Sequence, residues 1–365
     1  PFAAEVRDGF LIGRGSGDDK SGIIASLYAS MAIRDLKLPF HAGIRLVVGS
    51  EEETGMSDMK HFMEEQPMPD VSLVPDMIYP VGRGEKGTMR LAGVSQKKLT
   101  AVKDFSGGQS SNIVLGKATV RFSRTPELES ALSDLGSGFT TEVQGNDLFV
   151  TAKGVSKHAG WPEGSLSAAR IMTEVLRTFS SLPEEDREIL ENAYELLEGY
   201  YGEGLRIAEN DPDFGPLSCT NGIVRMNDGH LVLSFNIRYG ASISSEKLIE
   251  KIRTRMDEMG FDLEIESYAD GFIIPEDDPT LQTLLNCYRE VTGADRSAVL
   301  ANAGSYARVF RHGAYSTAPY TRRPDSFHLP QGHGHAHQPD EFVAIDGVVD
   351  GAAMLGAMLF SLDRE

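Results

Sequence analysis

Three short β-rich runs near the start of the chain each lead into acid, and this repeated pattern constrains the fold more than any other feature. Phe10 to Gly13 leads to Asp18-Asp19 in GRGSGDDKSG. Ile44 to Gly49 leads to Glu51-Glu52-Glu53 in GSEEETG, and Val71 to Val74 leads to Asp76 in VPDMIYP. Two helical stretches lie between them. Ser21 to Leu36 carries Ile23, Ile24, Leu27, Met31 and Leu36 at near-helical spacing, and Ser57 to Glu65 follows with Ser57 placed to cap it. Strand, helix, strand, helix, strand implies a largely parallel open sheet. In such sheets sites gather outside the carboxyl ends of the strands, where these acids fall. Just before, Phe2 to Val6 and Phe10 to Gly13 flank Arg7-Asp8-Gly9, a hairpin signal.

The pattern changes after about residue 88. Strand-like segments such as Ala118 to Phe122, Asp147 to Thr151 and Leu231 to Arg238 mix with helical stretches at Ser167 to Phe179, Glu184 to Leu197 and Ser245 to Met259. An α+β module inserted into the first domain accounts for this. From about Asp278 the α/β character returns, with a helix through Leu281 to Val291, a Gly- and His-rich loop from Gly304 to Gln338, and a last helix from Asp346 to Leu362. The expected domains are therefore 1–87 joined to 278–365, with 88–277 as the insert. A length of 365 residues suits two domains better than one.

Charge narrows the partners. A net charge of -19 repels phosphates, so nucleic acid is not expected. No uninterrupted apolar run reaches the ~18 residues that span a bilayer, so no membrane partner is expected. Cys219 and Cys287 form no CxxC pair and fit two buried thiols in a reducing, cytoplasmic setting.

Three acids brought to one rim repel one another unless a cation neutralises them. Carboxylate oxygen with imidazole nitrogen suits zinc, manganese or cobalt, and the imidazole candidates are His328, His333, His335 and His337. Each group also has a plain structural reading. Asp18 could cap the next helix, the three Glu could be a solvated strand end, and Asp76 after Pro75 could be a turn residue. The histidines could be an adventitious tract. GRGSG fits neither GxGxxG nor GxxxxGK[ST], so a phosphate loop is discounted.

Taken in order, the motifs resemble those of the M20 metallopeptidase family, and within it the PepV-like and carnosinase-like dipeptidases. GRGSGDDKSG resembles GRGxxDDKG, GSEEETG resembles EE[ST]G, and VPDMIYPVGRGEKG resembles PD…P…GEKG. GVSKHAGWPEG resembles the lid segment GxSAHxxxPxxG, and SFNIRYG its Arg strand. ANAGSYAR and HAHQPDEF resemble the closing Gly-Ser and HxxxE segments. The resemblance spans essentially the whole chain. It implies a zinc-peptidase-like α/β catalytic domain with a mostly parallel sheet, plus an inserted α+β lid domain.

The resemblance also implies roles. Asp18 matches a carboxylate bridging two divalent cations, zinc foremost, and a cis peptide often follows it. Glu53 and His337 complete one metal, Asp76 belongs to the other, and Glu52 matches the general base. His158 matches an oxyanion-stabilising lid histidine. Arg238 and Ser305 match groups that hold a substrate carboxylate, and Asn112 a lid position facing the substrate. The implied reaction is hydrolysis of dipeptides.

The front of the chain departs from the pattern. Family members carry an HxD segment about two dozen residues before GRGxxDDKG, and its His binds the metal shared with Asp76. No HxD precedes Asp18 here, and Pro1-Phe2 resembles the PF that follows that motif. The expectation is that a preceding segment, or a second chain, completes the catalytic domain and the second metal. Two other readings follow: an inactive or partner-dependent fragment holding one metal, and an amidohydrolase of N-acyl amino acids.

Overall fold

The computed structural model describes residues 3–133, 135–310, 313–322, 329–330 and 333–364. Pro1-Phe2 and His328 lie outside the described residues. The chain divides into two compact units, one made of Pro1–Glu85 with Ile273–Glu365, the other of Lys86–Phe272.

In the first unit, Asp8 and Gly9 both take positive φ, 53° and 83°, which is the two-residue turn that Asp-Gly favours. Glu5–Arg7 therefore folds back on Phe10–Ile12, and Phe342–Ala344 joins on the other side of Phe10–Ile12. In a second sheet Val299–Ala301 pairs parallel with Gly82–Glu85, and Ala314–Thr317 pairs parallel with Ser72–Pro75. Ser316 bridges antiparallel to Gly82 between these pairs. The helices Lys20–Asp35 and Pro279–Thr292 both pack on Ile345–Leu362. Ala25 and Ala29 let Leu355 approach closely, while Met354 and Met358 meet Leu281, Leu284 and Tyr288. Ile345–Leu362 is long and apolar enough to cross a membrane by length and composition. Its buried residues Met354, Leu355 and Met358 pack in the core of this unit. Asp278 caps Pro279–Thr292 by accepting the Leu281 N–H at 2.8 Å.

Two sequence expectations fail locally. Residues 43–49 form no strand. Ile44, Leu46 and Val48 alternate as a strand would, yet they are exposed, because no neighbouring strand lies against them among the described residues. This run and Ser72–Pro75, an edge strand, both line one cavity of about 960 Å³. Its apolar lining includes Ile23, Leu46, Val48, Phe62, Leu73 and Leu355. The second failure is Ser57, which is the first residue of its helix rather than the cap. The cap position is Met56 at φ 62°, and the Ser57 hydroxyl donates instead to the Glu51 carboxylate.

Among the described residues the second unit holds a short antiparallel pair, Asn210–Asp211 with Gly215–Pro216, and two four-stranded antiparallel sheets. One orders Ser218–Asn227, His230–Tyr239, Gly87–Lys98 and Phe261–Ala269; the other orders Val102–Ser106, Lys117–Ser123, Asp147–Lys153 and Phe139–Gln144. Leu231, Leu233, Phe235, Ile237 and Tyr239 alternate along one strand and enter a single core shared with the helices Ala168–Leu176, Glu184–Leu196 and Ser245–Glu258. The opposite face of that strand carries Ser234, Asn236 and Arg238, which are polar and also buried. Cys219 is a buried free thiol here, as Cys287 is in the first unit.

Asp186 ties this unit together. It is fully buried, and its carboxylate accepts the N–H and hydroxyl of Thr100 and the N–H of Ala101 at 2.8–3.0 Å. Asp186→Ala strands these donors and is expected to cost about 2–3 kcal/mol in chemical denaturation. A loss below about 0.5 kcal/mol, the range of neutral surface changes, would show that water replaces the carboxylate.

Candidate metal centre

Three distant stretches of the first unit bring ligand-type atoms to one point. Asp18 comes from the loop before Lys20–Asp35, Glu53 from the short 3₁₀ turn Glu52–Thr54, and His337 from the loop before Phe342–Ala344. His337 Nε2 lies 3.0 Å from Asp18 Oδ2 and 2.6 Å from Glu53 Oε1, and the three donor atoms lie within 4.8 Å of one another. A cation bound at about 2.0–2.2 Å from each donor would hold them roughly 3.4 Å apart at tetrahedral angles, so the group need open only slightly to admit one. Two carboxylates with one imidazole suit zinc and its neighbours in the series, so the residues present fit a divalent ion. His333 is turned to Asp340, 2.7 Å from Nδ1, and only His337 joins this group among the described histidines.

The neighbouring carboxyls carry the mark of crowding. Burial first, then Asp19, Glu52 and Asp18, push Asp76 up to about 9. Burial, with Glu53 and Asp18 nearby, pushes Glu52 up to about 7, and the Arg308 guanidinium opposes this. Burial also raises Asp19 to about 8, against the N–H of Gly22. Acids gathered in low dielectric hold protons unless positive charge enters. The 960 Å³ cavity reaches this group, since Asp18, Asp19, Glu52, Glu53 and Asp76 line it as well.

The capping alternative for Asp18 fails. Asp19 caps the helix, accepting the Gly22 N–H at 3.0 Å, which leaves Asp18 for His337. The peptide between the two acids is cis.

A scan against protein-family models matches residues 1–361 to the peptidase family M20/M25/M40. The chain belongs to this family. Its chemistry is accordingly metal-dependent hydrolysis of peptide bonds. The M20 chain is 24% identical to the Beta-Ala-Xaa dipeptidase of Lactobacillus delbrueckii subsp. lactis, over all of this chain and 78% of that one. Among solved structures it is similar to human carnosine dipeptidase 1, with a TM-score of 0.58, 14% identity, and coverage of 100% of this chain and 75% of that one. It is also similar to the M20 family metallo-carboxypeptidase Sso-CP2 from Sulfolobus solfataricus, with a TM-score of 0.54, 14% identity, and coverage of 100% and 80%. At these identities the two structures speak for the fold alone.

The other expected site residues of this M20 peptidase fall into two places. His158, Asn112 and Arg238 belong to the second unit. A bridge between Ile113 and His158, and a bond from the Ala159 N–H to the Asn112 carbonyl at 2.8 Å, hold His158 and Asn112 side by side. The His158 Nδ1 accepts the Gly160 N–H at 3.1 Å. A neutral ring bonded this way carries its proton on Nε2. Ser305 lies in the first unit and is fully buried. Its hydroxyl and N–H both donate to Glu85, at 2.5 and 3.0 Å.

Several groups were not singled out from the sequence. Glu85 is fully buried and accepts from Ser305 and from Arg308 Nε at 3.2 Å. Asp58 accepts the N–H groups of Ser50 and Glu51 and the Tyr306 hydroxyl at 2.6–3.1 Å, which fixes the approach to Glu52 and Glu53. Glu341 does the same for the Asp18 loop. Glu85 and Glu341 sit inside the GRGEKG and HAHQPDEF segments, and Tyr306 and Arg308 inside GSYAR, whereas Asp58 lies in none of these.

Proposed function

We propose that this chain hydrolyses the peptide bond of dipeptides, with Glu52 as general base beside a centre of two divalent cations. The observation that carries the reading is the convergence of Asp18, Glu53 and His337 on one point, with the Glu52 carboxyl next in sequence to a ligand. Asp18 is assigned to both cations, Glu53 and His337 to one, and Asp76 to the other. When bound, such cations polarise a carbonyl and make hydroxide available near pH 7. Glu52 takes the proton of the attacking water and returns it to the leaving amine. His158, with its proton on Nε2, donates to the developing oxyanion. Arg238 pairs with the free carboxylate of the substrate, as a planar guanidinium does well, and so favours very short peptides. Asn112, held beside His158, faces the substrate with it.

No further ligand group gathers at Asp76 among the described residues, and the one it needs is assigned to an extended segment docked from elsewhere. A cavity bounded by a free strand edge, a strand-like run without a ladder and apolar side chains suits a β-strand. The acid group lines the same cavity, so a strand lying there would pass beside Asp76.

The test is hydrolysis of dipeptides against N-acyl amino acids, with metal content by mass spectrometry. Residues 1–365 alone are expected to hold a single equivalent of Zn²⁺, and any longer product or complex that supplies the further ligand a second one. Dipeptides should be cleaved and N-acyl amino acids spared. Cleavage of N-acyl amino acids alone would move the assignment to that class. No hydrolysis with both equivalents present would overturn the reading.

A further inference from the structure

We propose that Glu341 is a positioning residue that locks the Asp18 loop to the His337 segment and so sets the spacing of the metal ligands. The inference rests on the metal reading of Asp18, Glu53 and His337. Glu341 is 1% exposed, and no metal role falls to it. Its Oε1 accepts the backbone N–H groups of Gly17 and Asp18, both at 2.9 Å. Its Oε2 accepts the Gly15 N–H at 3.0 Å and Arg14 Nη1 at 2.9 Å. The Glu341 carbonyl accepts the Gly13 N–H at 2.7 Å and the Ser16 hydroxyl at 3.1 Å. Arg14 also reaches the Gln338 carbonyl at 2.9 Å, next to His337.

Successive backbone N–H groups of a tight loop make a concave site for an anion, and here the protein's own carboxylate fills it. The Asp18 N–H is one of the donors, so this carboxylate is bonded to the backbone of a proposed ligand. Four residues earlier the same segment carries His337. One buried side chain therefore fixes two ligands that lie 319 positions apart in sequence (337 − 18). Every contact of the carboxylate is with a donor. Glutamine offers one acceptor and one donor, so either orientation of Glu341→Gln sets an NH₂ against two N–H donors. The loop must then shift, and the spacing of Asp18 from His337 with it.

The experiment measures Zn²⁺ affinity of the full chain by competition with a chromophoric chelator, together with thermal unfolding of the metal-free protein. Wild type, Glu341→Gln and Arg14→Met are compared, with Asp186→Ala as a variant destabilised in the other unit. The expected result is Zn²⁺ binding weakened about 10- to 100-fold in Glu341→Gln, the range for groups that orient metal ligands. Asp186→Ala should lower the unfolding midpoint and leave Zn²⁺ affinity unchanged. Wild-type affinity in a folded Glu341→Gln overturns the proposal. Should Glu341→Gln not fold, Arg14→Met decides: weaker Zn²⁺ binding supports the lock, and unchanged binding overturns it. A wild-type chain that binds no Zn²⁺ overturns the metal reading itself, which is a different failure.

Discussion

Replacing Glu52 with Gln is expected to reduce dipeptide turnover about 10²- to 10⁴-fold, the range over which a positioned general base acts. Metal content should not change. Gln keeps the size of the side chain and removes its ability to take a proton. Glu53, one residue on, keeps its carboxylate for the cation. The relevant comparison is kcat at saturating dipeptide with metal content measured on the same preparation. Turnover equal to wild type would remove Glu52 from the mechanism. Loss of metal in step with turnover would make Glu52 a ligand instead.

His337→Asn is expected to produce the largest loss of metal. His337 sits at φ 64°, a region that few residues enter without cost. Asn enters it more readily than most, so this variant preserves the loop and removes the imidazole. Both carboxylates now paired with Nε2 would then face each other with one ligand fewer. Zn²⁺ affinity should fall by more than the ~100-fold that marks the loss of an orienting neighbour, because a direct bond is removed. Titration of the metal-free variant with Zn²⁺ measures this. Retained affinity would place the cation elsewhere and would undo the assignment of Asp18 and Glu53 as well.

The two variants differ in kind, which is their value as a pair. One is expected to bind metal and not turn over. The other is expected to lose metal, and turnover only as a consequence. If both behave alike, the division of Glu52 and Glu53 into base and ligand is unsupported.

Much of this molecule was legible in the chain alone. Lys20–Asp35, Ser245–Glu258 and Pro279–Thr292 form where apolar spacing placed helices, since their hydrogen bonds run four residues along the same segment. The Asp8-Gly9 hairpin is equally local. The candidate ligands Asp18, Glu53 and His337 could be named because each sits in a recognisable run of neighbours.

The tertiary structure decided what depends on a distant partner. Ile44 to Gly49 has the composition of a strand, yet a strand is made by its neighbour's backbone, and no such neighbour is present among the described residues. Asp18 and Asp19 are chemically alike, and only the direction of the loop gives the cap to one and His337 to the other. Ser305 donates to Glu85, 220 positions earlier, and Glu341 accepts from a loop 323 to 327 positions earlier. Short-range order is written in composition and spacing. A site is made of contacts between residues that meet only once the chain has folded.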